Sequence, residues 1–114
     1  MASDKKRREP EEVPAVEAAG LRFEAPLQGV PLGYAQDGGI VTARDAASGA
    51  LMWSQRVYAV AYDDSIEGDK QDVFIKRLAL AADGRALWID NERGERFRLG
   101  LLDRRVERVE PGSS

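Results

Sequence analysis

The 114-residue sequence predicts a small all-β domain, an antiparallel sheet, sandwich or open barrel of about six to seven strands. Three observations carry this. Short runs rich in β-branched and aromatic residues alternate apolar with polar positions. Glycine-containing turn signals separate those runs every 8 to 12 residues or so. The composition also changes abruptly near residue 20, where a charged, proline-interrupted segment gives way to apolar alternation. The organisation that follows is a disordered tail over residues 1–20, one β-domain over 21–110 and a disordered end at 111–114.

The tail reads Lys5-Lys6-Arg7-Arg8, then Glu9, Glu11 and Glu12, with Pro10 and Pro14. Such a segment cannot bury enough apolar surface to offset its ordering entropy. Leu21 and Phe23 then alternate with Arg22 and Glu24 as a first strand, and Pro26, Gly29, Pro31 and Gly33 impose a loop. Asp37-Gly38-Gly39 is a turn, because glycine accepts the positive φ that tight turns demand. Ile40 to Arg44 follows as a strand. Asp45 to Gly49 turns into a long strand from Leu51 to Tyr62. Its alternation slips between Trp53 and Tyr58, which predicts a bulge or burial on both faces. Asp63 to Asp72 is an acidic loop. Val73 to Leu80, Ala86 to Asp90, Arg96 to Leu101 and Val106 to Val109 are the remaining strands. Propensity alone would also allow Val73 to Ala82 to be helical, but the Ala82-Asp83-Gly84 turn favours a hairpin.

One run carries more specific information. In Gly38-Gly39-Ile40-Val41-Thr42-Ala43-Arg44-Asp45-Ala46-Ala47-Ser48-Gly49-Ala50-Leu51-Met52-Trp53, the Asp45 carboxylate and Ser48 hydroxyl suit backbone N–H groups of a tight turn. Gly49 suits its left-handed position. This pattern resembles the repeat of quinoprotein-type (PQQ-like) β-propellers, with Asp45, Ser48, Gly49, Leu51 and Trp53 at the pattern's positions and serine where threonine is usual. A degenerate echo spans Leu78 to Leu101, with Trp88 and Asn91-Glu92-Arg93-Gly94. There the turn aspartate is replaced by Gly100, and no glycine follows at the right distance. The resemblance implies blade-like sheets. A closed propeller needs about four to eight blades, and this chain offers two at most. Cofactor residues in such proteins come from many blades, so no cofactor and no cofactor site is carried over.

Two absences bear on chemistry. The sequence contains no cysteine and no histidine, which removes thiolate nucleophiles, cysteine-bound metals, histidine general bases and serine–histidine dyads. The net charge of −3 shows none of the basic excess of a duplex-DNA binder. No stretch approaches membrane-spanning length. The location expected by default is cytoplasmic, or periplasmic or secreted if a signal peptide was removed.

Other candidate sites are weak as sequence patterns. Asp63-x-Ser65-x-Glu67-Gly68 begins like a calcium loop, but Phe74 stands where the closing glutamate belongs. The Asp63/Asp64 carboxylates have no feature placing them in a cleft, and a metal on Asp63, Glu67 and Asp69 has no more support. Trp53, Tyr58, Tyr62, Phe74, Trp88 and Phe97 read as β-core, with Arg44, Arg56, Lys76, Arg96 and Arg98 on solvent faces. The same residues could instead form a stacking platform. Arg104, Arg105 and Arg108 suit an edge guard against aggregation.

The expected function is a non-catalytic protein-interaction or accessory module acting on a protein partner or by self-association. Its candidate surface is Trp53, Tyr58, Tyr62, Arg96 and Arg98. The alternatives are a carbohydrate- or single-stranded nucleic-acid-binding module using that aromatic and arginine face, and a carboxylate- or metal-dependent enzyme.

Overall fold

The computed structural model describes residues 13–60 and 72–109. They form eight strands, β1 Val16–Ala18, β2 Leu21–Glu24, β3 Ile40–Asp45, β4 Leu51–Arg56, β5 Ile75–Leu80, β6 Ala86–Asn91, β7 Arg96–Gly100 and β8 Val106–Val109. These make two four-stranded antiparallel sheets, each in simple sequential order, β1-β2-β3-β4 and β5-β6-β7-β8. The only helical turn among the described residues is a 3-10 turn at Val30–Leu32, and none of their helices is long and apolar enough to cross a membrane.

The all-β class therefore holds, with one more strand than the upper end of the sequence expectation. The extra strand is β1, which lies within the stretch read as tail. Val16 and Ala18 supply a short apolar face that pairs with Phe23 and Leu21, and a β1–β2 turn at Ala19–Gly20 takes positive φ at both residues. Within Val73 to Ala82 the chain is strand rather than helix, over Ile75–Leu80. The long strand predicted from Leu51 to Tyr62 stops at Arg56. The change of parity there marks the point where the chain leaves the sheet.

Strand alternation builds the core. In the first sheet one row runs Val16, Phe23, Ala43, Trp53. The small Ala43 leaves room for the rings two strands apart to meet, at 5.9 Å between centroids. In the second sheet the inward rows are Leu78, Ile89, Phe97 and Leu80, Leu87, Leu99. Phe23, Val41, Ala43, Leu78, Leu87, Ile89, Phe97 and Leu99 join one buried cluster drawn from both sheets. Burying each such large apolar side chain contributes about 1.5–3 kcal/mol.

β3 is buried on both faces, because the proline-rich loop at 25–39 folds over the outer side of the first sheet. Ile40 and Thr42, with the parity of outward residues, are buried beneath it. A side chain at Gly29 would collide with the Gln36 carbonyl and crowd Ile40, so only glycine permits this approach. The Tyr34 hydroxyl hydrogen-bonds Ser54 Oγ on the same face at 2.8 Å.

All four sheet edges are blunted. β1 and β8 are short, at three and four residues. The two six-residue edge strands each carry a bulge. In β4, Trp53 faces Ala43 and Leu51 faces Arg44, so Met52 has no partner. In β5, Ile75 faces Asn91 and Arg77 faces Asp90, so Lys76 has none. Bulges and short edges both oppose strand addition by another chain.

Candidate functional site

The sites predicted from sequence fall in three places. The first is the β3–β4 turn. Asp45 Oδ1 accepts the N–H groups of Ala47 and Ser48 at 2.8 and 2.9 Å, and Ser48 Oγ accepts that of Ala50 at 3.2 Å. Gly49 sits at φ 79 and donates its N–H to the Asp45 carbonyl. The N–H donors of Ser48 and Ala47 hold the Asp45 carboxyl below the usual carboxylate range. This group is a structural acceptor whose Oδ1 is engaged by its own turn.

The β7–β8 turn repeats that backbone. Asp45 N–H bonds the Ala50 carbonyl and Gly49 N–H the Asp45 carbonyl; likewise Gly100 N–H bonds Arg105 and Arg104 N–H bonds Gly100, all at 2.8–2.9 Å. Arg104 thus occupies the position of Gly49, at φ 58, which explains the missing glycine of the degenerate repeat. Gly100 stands where Asp45 does in the first turn, and a Cβ there would have to displace the Asp103 carboxylate. That carboxylate instead accepts the Arg105 N–H at 3.0 Å.

The second place is the end where the two sheets are joined. Tyr58 leaves the first sheet and stacks on Phe97 of the second at 5.2 Å, and its hydroxyl donates to the Val73 carbonyl at 2.6 Å. Burial, reinforced by the Glu92 carboxylate, pushes the Tyr58 phenol well above its ordinary range. Gln36, buried, ties the same junction. Its Nε2 donates to the carbonyls of Gly38 and Tyr58, and its Oε1 accepts the Val60 N–H. Opposite it, Asn91 is buried and fully bonded, donating to Glu95 and accepting from the N–H groups of Arg93 and Glu95. This cluster is a latch, with every buried side-chain donor and acceptor matched.

The third is the outward face of the second sheet, where Arg96 lies over Trp88 at 5.8 Å and forms a bidentate pair with Asp90 at 2.7 and 3.1 Å. That pairing raises the Arg96 guanidinium above its usual value. Arg98 follows beside Trp88 in the next strand.

The structure therefore brings Arg96 and Arg98 together but separates them from Trp53 and Tyr58, which face the interior between the sheets. These four residues do not form one surface, because Trp53 and Tyr58 pack against the core from β4 and the segment after it, whereas Arg96 and Arg98 take the outward row of β7 in the other sheet. Tyr62 and the acidic stretch with Asp63, Ser65, Glu67, Gly68, Asp69 and Lys70 lie outside the described residues.

A different exposed set emerges at the turn end. Arg104 lies over the Trp53 ring at 5.6 Å, which seats the β7–β8 turn of one sheet against β4 of the other. Leu102, two residues before Arg104, is 99% exposed, and Met52 and Leu51 beside Trp53 are 57% and 44% exposed. Leu80, at the same end of the second sheet, is also exposed. The Leu101-Leu102 pair beside Asp103-Arg104-Arg105 is visible in the sequence, but nothing in it signals that this turn meets Trp53. No family model, no curated protein and no solved structure matches the chain.

Proposed function

We propose that the domain is a non-catalytic protein-interaction module whose contact surface is the turn end, centred on Leu51, Met52 and Leu102 and flanked by Arg104 and Arg105. The observation that supports it is Leu102. A leucine almost wholly in water gains nothing for folding, and with two further exposed apolar residues at the same end of the molecule it suits an anchor of the kind that partners bury. The blunted edges favour face-to-face contact over strand addition. Two exposed arginines at the rim suit a partner with acidic residues around an apolar centre.

Descent from a propeller-type repeat is part of this reading. Each sheet is a four-stranded meander, as a blade is, and the two halves share one turn geometry. The carbohydrate or single-strand reading is favoured by one observation, Trp88 between Arg96 and Arg98, but a single ring is a short platform.

The test is photo-crosslinking in an extract of the source cells, with a photoreactive phenylalanine analogue at position 102 and, as control, at exposed Arg93 on the opposite turn. A discrete adduct from position 102 is expected, at twice the chain mass for self-association or at another defined mass for a different protein. It should be lost when Met52→Lys is added. Equal labelling from both positions, or none from 102, refutes the proposal.

A further inference from the structure

The proline-rich loop does more than cover Ile40. Between it, the 13–15 segment and the outward face of the first sheet lies a cleft of about 760 Å³, within the size range of small-molecule sites. Its polar lining is Arg22, Glu24, Gln28, Thr42 and Arg44, and Leu27 and Leu32 are the largest side chains of its apolar wall.

The charges in it do not balance. Glu24 is shared, with Oε2 at 2.9 Å from Arg22 Nε and Oε1 at 3.4 Å from Arg44 Nε. Glu17 reaches Arg22 only at 3.9 Å and does not line the cleft. Arg44 sends one further N–H to the Gly49 carbonyl at 3.2 Å. Within the lining two guanidiniums share one carboxylate, the second countercharge being Glu17 outside it, and both arginines keep N–H donors to spare. Thr42 adds a second signal. It is 1% exposed and lines the cleft, yet its hydroxyl donates only to the Glu24 carbonyl, at 3.5 Å. That is well beyond the 2.5–3.0 Å of a normal O–H···O bond. A buried hydroxyl held so loosely is free to turn toward a better acceptor.

We infer that this cleft is a binding site for a small organic acid with an apolar body, its carboxylate held by Arg22, Arg44 and the Thr42 hydroxyl and its chain lying against Leu27 and Leu32. Planar guanidiniums suit carboxylates because two N–H groups can engage two oxygens at once. The loop walls are formed by Pro26 and Pro31, whose fixed φ limits the ordering cost of binding. The site lies on the outer sheet face; Arg44 is the cross-strand neighbour of Leu51, so the protein-contact surface adjoins it, but Leu102 does not line it.

The experiment titrates the full ¹⁵N-labelled chain with octanoate and follows backbone amide shifts, with octylammonium and octanol as controls. Saturable shifts confined to residues 13–15, 22–32 and 42–44 are expected with octanoate alone. Arg22→Gln with Arg44→Gln should weaken binding by about tenfold or more, as loss of charge-assisted bonds does, while Leu102→Asp leaves it unchanged. Leu32→Glu provides a second, independent loss if the double variant unfolds. Equal shifts with octanol or octylammonium, or no saturation by about 10 mM octanoate, overturn the assignment.

Discussion

The two ends of this molecule are built on different principles. At the junction end, side chains from distant segments tie the sheets together: Gln36 bridges three backbone groups, Tyr58 crosses to Phe97 and Val73, and Asn91 organises its own turn. At the turn end, the β3–β4, β5–β6 and β7–β8 hairpins are closed by their own backbone and by an aspartate within them. Backbone bonds from Ala46 to Gly20 and from Leu101 to Arg85 tie neighbouring turns, and Arg104 lies over Trp53 of the other sheet. The first end is a polar network buried among the sheets; the second leaves apolar side chains in water. A network of satisfied buried groups fixes how the sheets sit together, at high cost if one member is lost. Turns held by backbone bonds and local aspartates leave the apolar side chains of the other end free to carry a contact surface.

The largest expected effect is at the latch. Gly38 has φ 82, and a Cβ there would lie 2.6 Å from the Val73 carbonyl oxygen. Gly38→Ala adds a backbone collision to left-handed strain and should destabilise by roughly 3 kcal/mol or more, read from urea unfolding. A cost as small as that of a turn glycine would show that the two ends are equally tolerant.

Gly49 is the matched case at the other end. It has similar φ, 79, but nothing lies within 4 Å of an added Cβ. Gly49→Ala should therefore cost only the backbone term, about 1–2 kcal/mol. Arg104→Gly, at the equivalent position of the second turn, relieves the same strain while losing the contact with Trp53, worth about 0.5–1 kcal/mol. The net change should be within about 1 kcal/mol of zero. A loss as large as that of Gly49→Ala would mean the two turns are not equivalent.

The smallest effects are in pH dependence, and they differ in sign between the ends. Asp45 has a lowered carboxyl pKa in the folded chain, so its stabilisation is present above the unfolded value of about 4 and is lost as pH falls through the folded one. Tyr58 has a raised phenol pKa, so its contribution is complete below about pH 10 and is lost as pH rises beyond it. Urea midpoints against pH should lose their acid-side slope at this group in Asp45→Asn and part of their alkaline slope in Tyr58→Phe. Unchanged slopes in both variants would detach these residues from the two ends' stability.

The contrast also explains what could be read in the chain beforehand. Local chemistry was legible: the Asp45 to Gly49 turn, the Ala82-Asp83-Gly84 hairpin and the alternation of β2 all depend on residues a few positions apart. The strand ending at Arg56 was misread because Val57 and Tyr58 are as β-prone as their predecessors, and only the Val57 N–H on Gly39 and Tyr58 on Phe97 take the chain out of line. Gln36 gave no signal, since one glutamine in a glycine-rich loop has no periodicity to report.

By itself, then, the sequence determined the all-β class, the turn chemistry and the inward rows of most strands, because periodicity and left-handed glycines act over a few residues. Tertiary structure decided that Thr42 is buried beneath a loop, that Arg22 and Arg44 share Glu24, and that Arg104 rather than a neighbour in β4 covers Trp53. Each of these contacts joins residues from separate strands or turns, and the meeting exists only once the sheets and the loop over them have packed.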